Sequence, residues 1–196
     1  MRKKSAKKAA EWFLEQTDEI KIFLEQDNLS GLTDKHVTWV HDYAIIRLYR
    51  EFEDMILNCL IAAINNDTEV LSIQTDIDFP KHLSDEVCEF IIVGNGYFDF
   101  RGRDGLIQKL KKFLPDDHYL VMLVKKPSYK DSLEQLSALR NFAAHDSKPS
   151  KKRALEAIGL LRLASTGVWL KKQDRFGKLA SRLKRLAQEI YDKAPF

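Results

Sequence analysis

From Asp34 to Asn65 apolar side chains recur at three- and four-residue steps: Val37, Val40, Tyr43, Ala44, Ile45, Leu48, Tyr49, Phe52, Met55, Ile56, Leu60, Ile61 and Ile64. That period predicts one long helix, and its apolar positions cover more than one face. A helix apolar over so much of its circumference is central, or is shared between its own core and a partner subunit. We therefore expect a homodimer built partly on residues 37–64. The competing expectation is that the first and last helices cover both sides within one chain.

The same periodicity predicts flanking helices. Residues 9–26 place Ala9, Trp12, Phe13, Ile20, Phe23 and Leu24 at helical spacing, and Asn28 to Gly31 break that segment. Thr33 can cap the long helix through its hydroxyl. Residues 66–83 read as a linker. Ser84, followed by Asp85 and Glu86, reads as a capped helix start, because acids in a first turn complement the helix dipole.

Beyond Gly94–Gly96, residues 97–105 read as an extended piece or an ordered turn, and Leu106 to Leu114 as a short helix. The apolar run Tyr119 to Val124 is too short for period to separate helix from strand. Ser128 and Asp131 resemble a capping box for a helix reaching about His145. Pro149 suits the first turn of another through Leu163. A last helix spans about 174–193. The fold class expected is all-α: a single domain over residues 1–196, a bundle of five or six helices with an irregular excursion at 66–127.

Composition narrows the class. With 44% hydrophobic residues in 196, the chain can bury a sizeable core and is not disordered as a whole. The most apolar stretch, around Met55 to Ile64, falls short of the roughly 20 residues a membrane span needs. No apolar run follows the basic start, so no secretory signal is expected. Cys59 and Cys88 have no metal spacing and read as core residues of a reduced, cytoplasmic protein. Charge is unevenly placed. Residues 126–196 hold 16 of the 32 basic side chains but only 7 of the 29 acidic ones. Such a bias hints at an anionic partner, although a set of solvated helix faces produces the same count.

Most chemical motifs are missing. Gly94-Asn-Gly96 lacks the third glycine of a dinucleotide loop, and no Gly-Lys-Ser/Thr phosphate loop occurs. His36 and His41 are five apart, outside zinc-binding patterns, so neither metal nor cofactor is expected. One constellation stands out, Arg140-Asn141-Phe142-Ala143-Ala144-His145, at the end of a periodic helix. Five helical steps leave Arg140 and His145 about 140° apart, on adjoining faces, while Asn141 and His145 share a face. Arginine binds phosphate in bidentate fashion, and histidine exchanges protons near neutrality. Asparagine can orient the imidazole or bind a phosphate oxygen. Lys148, Lys151, Lys152 and Arg153 follow directly and can attract a phosphate backbone; Arg101 and Arg103 are weaker candidates.

Arg140-Asn141-x-x-x-His145 matches the RxxxxH signature of the HEPN superfamily (higher eukaryote and prokaryote nucleotide-binding domains). Tyr49 to Ile64 resembles the long early helix of its stand-alone bacterial RiboL-PSP-HEPN branch, and Tyr97-Phe-Asp-Phe-Arg-Gly102 resembles that branch's irregular connection. The similarity touches most of residues 34–165 and leaves the terminal helices as extensions. It implies a helical, commonly dimeric protein with a composite cleft. It also implies metal-independent endoribonuclease activity, with Arg140, Asn141 and His145 as the catalytic set, often in bacterial defence or toxin systems with an antitoxin or companion protein. Some relatives of that kind only bind nucleotides, RNA or partners, so a non-catalytic helical module is the alternative expectation.

Overall fold

The computed structural model describes residues 3–195, which form eleven α-helices, one 3-10 turn and no strand. In chain order the helices are α1 (Ala6–Phe23), α2 (Gln26–Leu29), α3 (Asp34–Asn66), α4 (Thr68–Thr75), α5 (Asp85–Val93), α6 (Gly102–Lys111), α7 (Tyr119–Lys125), α8 (Lys130–His145), α9 (Lys148–Ile158), α10 (Thr166–Leu170) and α11 (Arg175–Lys193). The all-α class is as expected. Six helices of ten residues or more build the bundle, and five shorter ones fill the excursion and the connections.

Thr33 caps α3 by accepting a hydrogen bond from the His36 amide. The helix then runs for 33 residues, about 50 Å, without a proline or glycine to bend it. Its apolar circumference is covered inside the chain, by α1 and α11 on one side and by α5, α8 and α10 on others. Of the apolar positions that suggested a partner subunit, Tyr43 alone is strongly exposed, at 64%. Trp39, at 55%, stands exposed on the same face. Buried residues of α1 and α11 belong to the same hydrophobic cluster as those of α3. At its centre the ring of Phe52 meets Phe13 edge-on at 5.7 Å and Phe100 at 6.0 Å.

Local readings and structure part at several places. Residues 68–75 form a helix in what reads as linker, because the Asp67 carboxylate caps it through the Val70 amide. Helix α6 begins at Gly102, four residues before Leu106, because the carboxylate of Glu134 on α8 accepts the Arg103 amide at 2.9 Å. A cap supplied from a distant helix has no local signature. Residues 119–125 resolve as helix. Ser128 does not cap α8; Pro127–Tyr129 winds as a 3-10 turn and Tyr129 occupies the cap position without a side-chain bond. Helix α9 ends at Ile158, short of Leu163, because Gly159 adopts a left-handed conformation at φ 66°. Trp12 is 55% exposed rather than in the core, with its indole N–H donating to Glu51 at 3.2 Å.

None of the described helices is long and apolar enough to cross a membrane.

Candidate functional site

Helix α8 carries the motif. At Arg140 the side chain is half-buried against α3, with its guanidinium carbon 4.5 Å from the centre of the Tyr49 ring. Stacking of this kind suits the flat arginine head and holds it in one plane. Arg140 Nη1 donates to Asn141 Oδ1 at 2.7 Å. No ion pair to Arg140 occurs among the described residues, so most of its donors stay available.

The Arg140 head forms one wall of a cleft of about 770 Å³ bounded by α3, α5 and residues 96–99. Glu53, Asp54, Glu89 and Asp99 line it beside Arg50 and Arg140, four carboxylates against two guanidiniums. Tyr49, at the back, directs its hydroxyl at Asp99 Oδ1 (3.0 Å) and the Phe100 carbonyl (3.1 Å). Burial, then the charges of Glu53 and Asp99, hold the Tyr49 phenol well above its ordinary pKa, so it remains a donor. Lys109 anchors the same segment, donating to the Asp99 carbonyl at 2.8 Å and lying 4.6 Å from the Phe98 ring. Desolvation lowers the Lys109 pKa, against the pull of Asp99.

Glu53 differs from its neighbours. Its carboxyl is half-buried, and burial pushes its pKa up to about 7; the Tyr49 hydrogen bond and the Arg140 charge oppose that rise, while Asp99 and Asp54 add to it. A carboxyl that titrates near neutrality inside a cleft is a group whose environment suits proton transfer or recognition.

Asn141 faces another way. It lines a groove of about 450 Å³ between α8 and α9, together with Arg101, Ser137 and Arg153. Two adjacent motif residues thus look into two clefts, joined by one hydrogen bond. That bond runs to Arg140, not to His145 as the shared helical face suggested.

His145 is the last residue of α8 and is exposed; it lines neither cleft. Along the helix it lies roughly 7.5 Å beyond Arg140. Asp146 then turns the chain in a left-handed conformation at φ 40°, and Ser147 starts α9 with a capping box to Ser150.

The basic group lies on α9. Lys148, Lys152 and Arg153 are exposed, and Lys151 is half-buried with its ammonium 5.8 Å from the Phe142 ring. Lys152 approaches Glu156 at 4.0 Å. No acid occupies the first turn of α9, so these cations gather at the positive end of the helix dipole. That placement costs stability and concentrates positive potential where an anion can use it. Arg103 is structural, since its guanidinium donates to the Val124 and Lys125 carbonyls at the end of α7. Arg101 is exposed on the groove that holds Asn141.

Sequence reasoning missed Tyr49, Glu53, Tyr97 and Asp99 as site residues. No local signal marks them, since Glu53 stands among Arg50, Glu51 and Asp54 on the same helix and Tyr49 reads as one of its apolar positions.

No protein-family model, curated protein or solved structure matches the chain.

Proposed function

We propose that the protein is a metal-independent endoribonuclease of the kind its Arg140-Asn141-x-x-x-His145 motif resembles. The observation that carries this reading is the Arg140 head: half-buried, stacked on Tyr49, steadied by Asn141 and free of any carboxylate partner among the described residues. A guanidinium held in one plane with open donors is suited to a phosphodiester and to the charge that grows on its nonbridging oxygens during cleavage. His145 serves as general base or acid for the 2′-hydroxyl or the leaving oxygen. The nucleophile then comes from the RNA, and the products are a 2′,3′-cyclic phosphate and a 5′-hydroxyl. Asn141 positions Arg140. Lys148, Lys151, Lys152 and Arg153 on α9 supply backbone attraction next to His145 in the chain.

His145 lies outside the Arg140 cleft of its own chain, which favours a composite site made by two copies. We therefore keep the homodimer as part of the proposal, although α3 is largely covered within one chain. Sedimentation at micromolar concentration is expected to give twice the 22.7 kDa chain mass. A monomer with full activity would remove that part. Two free, buried cysteines suit the reducing cytoplasm, and a defence or toxin role, with an antitoxin or companion protein, belongs to the same reading.

A second reading, a helical module that binds RNA, nucleotide or a protein partner without cleaving, draws support from the carboxylate excess of the Arg140 cleft. Incubation with single-stranded RNA in EDTA separates the two. Cleavage by the wild type and not by His145→Ala supports the enzyme, and binding by both without cleavage supports the module. Arg140→Lys keeps the charge but loses the planar fork, so cleavage should fall on the order of tenfold to a hundredfold, read as single-turnover rates. An unchanged rate would remove the phosphate role from Arg140.

A further inference from the structure

Beyond the contact that Arg140 offers at its wall, this cleft penalises a phosphate, because four carboxylates line it. An uncharged base meets no such penalty. At the rim, Tyr97 presents a ring that is 92% exposed, the surface on which an unstacked base can lie. Deeper in, the Tyr49 hydroxyl lies between Asp99 and Glu53, and Glu53 is half-buried with no ion pair among the described residues, so its carboxylate keeps lone pairs for a ligand. Arg50 and Arg140 supply donors on the same cleft.

We propose that this cleft is a guanine-binding subsite, in which Glu53 pairs with the N1–H and N2 amino donors of guanine while Tyr97 stacks on the base. This rests on the reading of the chain as an RNA-binding protein. An ionised carboxylate only accepts, and guanine alone presents two adjacent donors on its Watson–Crick edge. Adenine and cytosine place an acceptor beside one donor, and uracil flanks its single N–H with two carbonyls. Each of those edges sets a lone pair against the carboxylate, an unpaired contact that costs more than the bond it replaces. Guanine O6 and N7 are acceptors that an arginine satisfies, and Arg50 is placed on the same cleft to reach them.

The preference depends on pH. Glu53 is faced by Tyr49, Arg50 and Asp54 from α3, Glu89 from α5, Asp99 from the connection, Lys109 from α6 and Arg140 from α8. With its carboxyl titrating near 7, Glu53 is an acceptor pair at higher pH and gains one O–H donor at lower pH. The protonated form matches adenine or cytosine, so guanine selectivity is strongest above neutrality and narrows as pH falls.

The test uses fluorescence anisotropy with the His145→Ala protein, so that no cleavage is needed. The probes are oligouridylates of about ten nucleotides carrying one central guanosine, inosine, adenosine or cytidine. At about pH 8 guanosine should bind on the order of tenfold tighter than adenosine or cytidine, with inosine between, and the gap should shrink at about pH 6. Glu53→Gln should abolish the preference. Tyr97→Ala, at an exposed position that leaves folding intact, should weaken all four probes by roughly tenfold. Equal binding of guanosine and adenosine at the higher pH, or an undiminished preference in Glu53→Gln, overturns the subsite. A guanosine preference in a protein whose wild type cuts no RNA upholds the subsite and removes the nuclease. Cutting without base preference does the reverse.

Discussion

Replacing His145 with alanine is expected to lower the proposed RNA cleavage by about 10²–10⁴-fold, the range lost with a general acid or base, while RNA affinity should change little because phosphate contacts dominate it. The position makes the experiment clean. His145 is exposed at the end of α8, so its removal opens no cavity and leaves the fold undisturbed. A lost rate therefore reports chemistry. The companion measurement uses an RNA with a single 2′-deoxy nucleotide immediately 5′ of the cut. It should bind normally and resist cleavage at that bond, since the internal nucleophile is gone. Efficient cutting there, or full activity of His145→Ala, would leave a binding module as the better account.

The largest expected loss of stability comes from Phe52→Ala, about 3–5 kcal/mol by urea denaturation. Phe52 is fully buried and its ring lies edge-on to Phe13 of α1 and Phe100 of the connection before α6. Truncation removes one partner from each contact and leaves a cavity that three separate chain segments cannot all collapse into. Because Phe100 adjoins Asp99, the variant should also weaken whatever binds in the cleft. A loss under about 1 kcal/mol would show that the packing around Phe52 relaxes, contrary to its place in the core.

Strong periodicity made the large helices readable. The long helix ends one residue past the point its period indicates, Thr33 and Ser84 cap as their chemistry suggests, and the motif helix ends at His145. What escaped was decided by partners remote in sequence or by single residues. Glu134 caps α6 from 31 positions away. Asp67 turns a polar stretch into a helix, and Gly159 stops α9 early. The site follows the same division. Arg140, Asn141 and His145 are legible together as a motif because they lie within six residues, but the sequence does not tell that the three point to different surfaces. Glu53 is not legible in this way, since its character comes from burial and from Arg140 and Asp99, which folding brings to it.

The unbroken run of α3 has a mechanical consequence. A helix without glycine or proline resists bending, and α8 packs along it, so these two walls behave as one stiff frame. Gly94, with φ 63°, and Gly96 begin the other wall, which is tied to the frame by the Tyr49 hydroxyl, to α6 by the Lys109 ammonium, and to the core by the packing of Phe98 and Phe100. Compliance is thus confined to one side. Any occupant larger than the resting cleft gains room by displacing residues 94–99, and the work it does is set by how firmly three hydrogen bonds and the packing of two phenylalanines hold that wall in place.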